Sequence, residues 1–113
     1  MNLKLDPKIV VVSLLDRSVC AVQVASILVD KYGIFSTGWN SSGDGFGEHA
    51  EIHCLSRCNR RRLSHSTMHV AARRRRNGKM VIAKPCSACE WAVRHVKEVV
   101  WRDRDGVWKV LNE

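Results

Sequence analysis

The sequence has no uncharged stretch long enough to cross a membrane. Its longest run of uncharged, mostly apolar residues, Ser18–Val29, is well short of the roughly 20 residues that a membrane-spanning helix requires. The run also begins too far into the chain for a secretory signal peptide. We therefore expect a protein that does not interact with membranes and resides in the cytoplasm.

Acidic residues are scarce compared with basic ones. The 113 residues include 19 Lys and Arg but 11 Asp and Glu, so the net charge is +8. A basic balance of this size favours partners that carry phosphate. The opposing interpretation is that the charged runs are solvated faces without a ligand. Seven arginines lie in two short runs, 60–62 and 73–76.

The composition argues against a disordered chain and against a disulfide framework. Hydrophobic residues make up 45% and charged residues 27%, close to the average of soluble globular domains, and the length suits one domain over residues 1–113. The five cysteines are odd in number, and no signal peptide is readable before them. Cys86 and Cys89 are separated by two residues, which favours metal or thiol chemistry in a reducing compartment.

The pattern of apolar residues and turn signals predicts alternating helices and strands. Asp6 and Pro7 suit the start of a first helix, although the β-branched residues at 9–12 suit a strand equally. A glycine-rich loop at 41–47 precedes the second helix, and loops that a sheet holds in place often carry sites. The predicted helices are 7–16, 50–61 and 87–95. The predicted strands are 19–29, 34–37, 67–72, 98–101 and 107–111, and the segment 80–83 is predicted to continue the strand 67–72 after a turn at Asn77-Gly78.

One pair of motifs has a clear chemical meaning. His49-Ala50-Glu51 is followed, after 33 residues (52–84), by Pro85-Cys86-Ser87-Ala88-Cys89. One imidazole and two thiolates form a three-ligand set for Zn²⁺, which leaves the fourth tetrahedral position for water. Cysteines at the start of a helix also gain from the helix dipole, which lowers the pKa of a thiol.

A closed structural zinc site is the alternative interpretation of these residues. Its fourth ligand would be Cys54, Cys58 or His53, but such a site leaves Glu51 without a role. Cys54 and Cys58 lie on the apolar side of the predicted second helix. We therefore expect both to be small buried side chains, since free cysteine is among the most buried residue types.

The combination of His-x-Glu with a later Pro-Cys-x-x-Cys resembles the zinc-dependent cytidine deaminase superfamily. The resemblance implies an α/β fold with three layers, α/β/α, in which helices cover a mixed sheet of about five strands that ends in an antiparallel hairpin. It also implies that His49, Cys86 and Cys89 hold zinc between the starts of two helices, with Glu51 as the proton shuttle. The implied reaction is hydrolytic deamination of cytosine to uracil, which releases ammonia and needs no organic cofactor.

Four further residues are expected to contact the substrate. Gly38-Trp39-Asn40 resembles the Gly-x-Asn segment whose asparagine binds the sugar in this superfamily, although Asn40 also suits a cap in a turn. Phe46, in the glycine-rich loop, is a candidate to stack on the base. Ala50 and Pro85, inside the two motifs, complete the expected contacts.

The end of the chain indicates one branch of the superfamily. Members that act on free cytidine resemble one another in closing with a β-hairpin, whereas tRNA adenosine, deoxycytidylate and polynucleotide cytosine deaminases insert a helix that makes the last strands parallel. Only 103–106 separates the last two predicted strands, which is too short for a parallel crossover. The free-nucleoside branch usually has cysteine at the position of His49 and an Asn-x-Glu segment for the sugar. The chain departs from that pattern in both respects. His49 and Gly38-Trp39-Asn40 resemble the nucleotide and tRNA branches instead, and the chain as a whole is similar to small deaminase-like proteins of phages and large viruses.

Three functions follow from these residues. The first is deamination of cytidine or deoxycytidine, free or as the nucleotide, and the second is deamination of cytosine within single-stranded DNA or RNA. The third is a non-catalytic zinc module that binds nucleic acid. Three tryptophans near the end of the chain, Trp91, Trp101 and Trp108, suggest a homo-oligomer. Basic residues before the second motif are candidate contacts to phosphate or nucleic acid: Arg73, Arg74, Arg75, Arg76 and Lys84.

Overall fold

The computed structural model describes residues 5–41 and 49–111, in which short helices alternate with strands. The helices are α1 (Pro7–Ser13), α2 (Ala50–Ser56) and α3 (Ser87–Ala92). The strands are β1 (Val22–Asp30), β2 (Gly33–Trp39), β3 (Thr67–Arg74), β4 (Met80–Val81), β5 (Glu98–Arg102) and β6 (Trp108–Val110). Two 3₁₀ turns, Leu14–Arg17 and Arg60–His65, follow α1 and α2. Within the part of the chain that the structure describes, no helix has the length and apolar content needed to span a membrane.

The strands form a mixed sheet, as the sequence predicts. Its order is β2-β1-β3-β5-β6, and neighbouring strands are antiparallel except β3 and β5, which run parallel. The predicted hairpin at the end of the chain is confirmed, since β5 and β6 pair antiparallel. Gly106 in the connecting turn has a φ of +87°, a conformation that glycine adopts without strain.

The segment predicted at 80–83 as a continuation of the third strand is instead a separate strand. β4 turns back and pairs antiparallel with the end of β3, with Val81 opposite Ala72. Asn77 Oδ1 accepts a hydrogen bond of 2.9 Å from Lys79 N, and Gly78 has a φ of +69°. These two features close the tight turn that the sequence predicts at Asn77-Gly78. The segment after the turn pairs back onto β3 as a hairpin, and it does not continue the strand as we expected.

Helices cover both faces of the sheet, which confirms the three-layer α/β/α arrangement. On one face, Val11 of α1 and Leu15 of the following turn are fully buried against Ala25, Ile27 and Ala71. On the other face, α2 and α3 pack on the sheet in a larger apolar cluster. That cluster includes Leu28, Cys54, Leu55, Met68, Val70, Val93 and Trp101.

The first segment is a helix and not the alternative strand, despite its β-branched residues. Asp6 Oδ1 accepts a hydrogen bond of 2.9 Å from Lys8 N. Pro7 occupies the first helical position, where its missing N–H costs no hydrogen bond. Val11 and Leu15 are four residues apart and share the buried side, so packing against the sheet outweighs the low helix propensity of valine.

The second helix is shorter than the predicted 50–61 because a cap starts a new turn. Asn59 Oδ1 accepts a hydrogen bond of 3.1 Å from Arg61 N and begins the 3₁₀ turn. This turn directs Arg62 to Asp30, to which its guanidinium donates two hydrogen bonds of 2.6 Å. Arg62, in the first basic run, is therefore paired with a carboxylate that is itself largely buried.

One edge of the sheet brings the starts of α2 and α3 together. β1 begins at this edge and β2 and β3 end there, because Ala25 lies opposite Trp39 and Val22 lies opposite Arg74. The loop after β2 leads to α2, and the segment after β4 leads to α3. We call this side of the sheet, which is formed by the ends of strands and not by an outer strand, the site edge. The parallel strands β3 and β5 both begin at the opposite edge.

The three tryptophans near the end of the chain have different environments. Trp91 on α3 is 68% exposed, and the guanidinium of Arg94 lies 3.9 Å from the centre of its ring. Trp101 is buried and Trp108 is half-buried against the core. Only Trp91 among the three offers substantial apolar surface to a partner, and the homo-oligomer stays a prediction.

Candidate metal centre

The two sequence motifs meet at the site edge, where each supplies the residue that caps a helix. His49 is the N-cap of α2 and Cys86 is the N-cap of α3. Cys89 lies one turn into α3 and is buried, whereas His49 and Cys86 are exposed. His49 Nδ1 is 3.8 Å from Cys86 Sγ and 3.2 Å from Cys89 Sγ. All three potential ligand atoms lie within 4.8 Å of one another.

These distances fit a zinc ion. In a tetrahedral site with zinc–nitrogen bonds of about 2.0 Å and zinc–sulfur bonds of about 2.3 Å, a nitrogen and a sulfur ligand are separated by about 3.5 Å and two sulfurs by about 3.8 Å. Small side-chain rotations would bring the three atoms to those separations. Among residues 5–41 and 49–111, the group has no fourth member, so the geometry is that of a site with one open position.

The residues considered as a fourth ligand serve other contacts. Cys54 is fully buried in the core, and burial raises the pKa of its thiol to about 11. Cys58 Sγ lies 3.2 Å from the Leu55 carbonyl oxygen. His53 Nδ1 lies within 3.2 Å of both the backbone nitrogen and the carbonyl oxygen of Trp39. We therefore find no support for the closed structural site.

The surroundings of Cys89 favour a bound cation. Burial raises the pKa of the Cys89 thiol above its ordinary value, and the neighbouring Glu51 and Cys86 raise it further. Glu51 lies in the first turn of α2 and is 4% exposed. Two thiols and the buried carboxyl group of Glu51 converge here. A divalent cation would therefore stabilise the thiolates that zinc requires.

Close backbone packing fixes the start of α2 on the sheet. A Cβ atom added to Gly38 would lie 2.4 Å from Cys54 N and 2.5 Å from Ala50 O, so only glycine fits beneath the helix. Ser26 Oγ donates a hydrogen bond of 2.8 Å to Ala50 O. Ser36 Oγ donates one of 2.7 Å to Cys54 O. Sequence analysis missed this positioning role, because a glycine or serine within a strand carries no helix-contact signal of its own.

The residues expected to contact the substrate differ in their surroundings in the structure. Asn40 Oδ1 accepts hydrogen bonds from Ser18 Oγ at 2.6 Å and Val24 N at 2.9 Å, and its Nδ2 donates to Val22 O at 2.8 Å. Asn40 thus joins the end of β2 to the start of β1, and its contact with a sugar stays a prediction. Ala50 and Pro85 are buried beside the helix starts. Phe46 lies outside the described residues.

The second basic run divides between two environments. Arg73 donates hydrogen bonds to Asp16 at 2.6 Å and to Gln23 at 2.8 Å, on the side of the sheet that α1 covers. Arg75 is exposed, and one of its guanidinium nitrogens lies 3.3 Å from a backbone oxygen. The other candidates, Arg74, Arg76 and Lys84, are exposed. The guanidinium of Arg73 is thus bound to protein partners, and we do not include it among the residues proposed to contact phosphate.

The fold is similar to those of solved deaminases. Cytidine deaminase from Burkholderia pseudomallei matches with a TM-score of 0.66 at 19% identity, over 88% of this chain and 84% of that one. Cytidine deaminase from Mycobacterium leprae gives 0.61 at 17% identity, over 94% of both chains. The dCMP deaminase from the cyanophage S-TIM5 gives 0.53 at 20% identity, over 88% of this chain and 86% of that one. At these identities the likeness establishes the fold.

Sequence comparison establishes the family. No curated protein sequence matches the chain at a significant level, but residues 9–102 match the family profile described as the cytidine and deoxycytidylate deaminase zinc-binding region. The matched region includes both motifs and most of the chain. Zinc is thus the cofactor of the family, and the described residues provide a group that fits it. With its fold, its ligand group and this match in agreement, the chain belongs to the cytidine and deoxycytidylate deaminase family.

Proposed function

We propose that the protein catalyses the zinc-dependent hydrolytic deamination of cytosine to uracil in cytidine or deoxycytidine, as the nucleoside or the nucleotide. The observation that carries this proposal is the convergence of His49, Cys86 and Cys89 beside the buried Glu51 at the starts of two helices. The family match supports a deaminase. The fold likeness to proteins named as cytidine deaminases and a dCMP deaminase is consistent with a pyrimidine substrate.

In the proposed site, His49 Nδ1 and the sulfurs of Cys86 and Cys89 hold the ion. Zinc, when bound, lowers the pKa of a coordinated water from about 15.7 to about 7, so that a nucleophile is available at neutral pH. Both cysteines lie at the start of α3, and a bound cation would overcome the raised pKa of Cys89 and favour its thiolate. A three-residue ligand set leaves the space at the ion that the water needs.

Glu51 moves the protons in this proposal. Its carboxylate first accepts a proton from the attacking water and delivers it to the ring nitrogen next to C4 of cytosine. It then takes the remaining proton from the new hydroxyl group on C4 and transfers it to the amino group, which leaves C4 as ammonia while the C–O bond becomes the carbonyl of uracil. The 4% exposure of Glu51 keeps bulk water from competing for these protons.

The antiparallel end of the sheet supports a cytosine nucleoside as the unit that reacts. β5 and β6 form the hairpin that the resemblance associates with enzymes of free nucleosides. The competing proposal of a non-catalytic zinc module accounts for the three ligands but gives the buried Glu51 no role. The hydrolytic reaction uses all four residues and is therefore preferred.

A substrate panel tests the proposal directly. Purified zinc-loaded protein is incubated with cytosine, cytidine, deoxycytidine, the monophosphates of both nucleosides and adenosine, and both ammonia and the deaminated product are measured. We expect ammonia and uracil product in equal amounts from at least one nucleoside or nucleotide. Turnover of adenosine but of no cytosine compound would overturn the pyrimidine assignment, and turnover of none of these would favour the non-catalytic module.

A further inference from the structure

Two hairpin turns at the site edge surround a groove that is lined by positive charge. The groove has a volume of about 200 Å³. Its cations are Arg74 at the end of β3, Lys79 just before β4 and Arg104 in the turn between β5 and β6. Met80, Val81 and Ile82 form its apolar part. We call it the cationic groove, and no acidic residue lines it.

The three cations of the groove have no carboxylate partner among the residues that the structure describes. The ion pairs there involve other cations, namely Arg62, Arg73 and Lys109. Of the two acidic residues that flank Arg104, Asp103 pairs with Lys109 and also accepts a hydrogen bond of 2.8 Å from Arg104 N. Asp105 Oδ1 accepts a hydrogen bond from Val107 N. Three converging positive charges, none of which forms an ion pair among the described residues, create a field that attracts an anion.

The backbone presents these charges from ordered turns. Arg74 N donates to Lys79 O, and Gly78 N donates to Arg74 O, both at 2.9 Å. In the other turn, Asp103 N donates to Val107 O at 2.9 Å and Gly106 N donates to Asp103 O at 3.0 Å. Because the backbone is already fixed, an anion bound here costs less conformational entropy than one bound by a mobile tail.

The charge continues beyond the groove toward the metal centre. Exposed Arg75 and Arg76 lie in the same turn as Lys79, and Lys84 lies two residues before Cys86. The exposed cations of this region are Arg74, Arg75, Arg76, Lys79, Lys84 and Arg104. Six positive charges exceed what the one phosphate of a nucleotide requires and match successive phosphates of a strand.

We propose that Arg74, Lys79 and Arg104 bind the phosphate backbone of a single-stranded nucleic acid whose cytosine lies at the metal centre. The position of the cytosine rests on the proposed function, but binding of the strand in the groove does not. The guanidinium and ammonium groups contact phosphate oxygens, and the exposed side chain of Ile82 beside Met80 contacts sugars or bases.

A charge-matched pair of variants tests the groove. The first variant combines Arg74→Gln, Lys79→Gln and Arg104→Gln. The control combines Arg60→Gln, Arg61→Gln and Lys97→Gln, which removes the same charge from exposed residues at the opposite edge of the sheet. Binding of fluorescent oligodeoxycytidylate and oligocytidylate to the zinc-loaded proteins is measured by anisotropy at low and moderate salt.

We expect the groove variant to bind the strand at least ~10-fold more weakly than the unmodified protein, with a shallower dependence on salt, because fewer counterions are released. The control is expected to bind within ~2-fold of the unmodified protein. Equal losses in the two variants, or no binding of either oligonucleotide by the unmodified protein, would overturn the proposal. So would a groove variant that loses affinity for deoxycytidine monophosphate alone.

Kinetic measurements separate this proposal from the proposed function. If an oligonucleotide is turned over, the groove variant should raise KM for it and leave KM for deoxycytidine unchanged. Groove-dependent binding of the strand without any formation of uracil would sustain the groove and remove the deaminase assignment. Deamination of deoxycytidine without any binding of strands would sustain the deaminase assignment and overturn the proposal for the groove.

Discussion

At the scale of single residues, the centre combines side chains that differ sharply in exposure. His49 and Cys86 are exposed, whereas Cys89 is buried and Glu51 is 4% exposed. Ionisation of the buried Cys89 thiol beside Glu51 is unfavourable in the absence of a cation, as the raised pKa of Cys89 indicates. The exposed pair leaves a route for zinc and for substrate. Zinc binding and proton transfer are therefore properties of adjacent but distinct side chains.

The variant Glu51→Gln separates these two properties. The amide keeps the size of the side chain but cannot accept and return protons, so we expect kcat to fall by at least ~10³-fold. Zinc content, measured by atomic absorption, should stay near that of the unmodified protein. Glu98→Gln, at an exposed position on β5, is the control and should retain full activity. Uracil formation by Glu51→Gln at an undiminished rate would refute the proposed role of Glu51.

The ligand group was predictable from the sequence, but the roles of other residues were not. His49, Cys86 and Cys89 lie at the starts of helices, and the motif spacing shows the donor set directly. Arg73 is different, because its neighbours in sequence do not reveal that Asp16 and Gln23 hold it across the sheet. Its partner Asp16 is distant in the chain, and only the fold brings the two together.

At the scale of elements, the position of the centre depends on how closely α2 approaches the sheet. Gly38 in β2 lies directly beneath the first turns of the helix. Two serine hydroxyls, from β1 and β2, hold the helix carbonyls in place. Any shift of α2 would therefore move His49 and Glu51 away from the cysteines of α3.

Gly38→Ala is expected to disturb the centre without touching a ligand. The added methyl group would lie within 2.5 Å of backbone atoms of α2, which cannot move as a flexible side chain could. Overpacking of this kind costs about 1–3 kcal/mol, and we expect zinc affinity to fall by about 10-fold or more. Chemical denaturation and competition with a zinc chelator measure the two effects. Thr37→Ala is the control, and wild-type values for Gly38→Ala would contradict this account of α2.

Element boundaries were harder to predict than element order. The order of helices and strands followed from periodicity, and the last hairpin followed from the short Asp-Gly link. The turn at Asn77-Gly78 was predictable from its residue types, but the pairing of β4 back onto β3 was not. The early end of α2 depends on the side chain of Asn59, which offers the backbone a local alternative to the helix that is invisible in the apolar pattern.

At the scale of the whole molecule, one buried histidine makes stability depend on pH. His69 on β3 is 8% exposed, and its ring is 5.7 Å from that of Trp108. Its Nδ1 has no hydrogen-bond partner among residues 5–41 and 49–111. The pKa of His69 is lowered to about 4, chiefly by burial and to a smaller extent by the charge of Lys8, while Asp6 opposes the shift. In the unfolded chain the pKa is near 6.5, so between these values the unfolded state binds more protons.

We therefore expect the free energy of unfolding to fall as the pH decreases from about 6.5 to about 4, by on the order of 2 kcal/mol from His69. Replacing His69 by Leu should flatten this dependence, whatever the effect of the replacement on stability at neutral pH. His65→Leu, at an exposed position, should leave the dependence unchanged. Urea unfolding at several pH values provides the measurement. An equally steep pH dependence in His69→Leu would contradict the assignment.

The most direct measurement for the account as a whole is a crystal structure of the purified protein with anomalous data on both sides of the zinc absorption edge. We predict one zinc ion per chain, bound by His49 Nδ1, Cys86 Sγ and Cys89 Sγ, with its fourth position open to solvent beside Glu51. A fourth protein ligand on the ion would contradict this account. So would three side chains too far apart to share a metal in zinc-loaded protein.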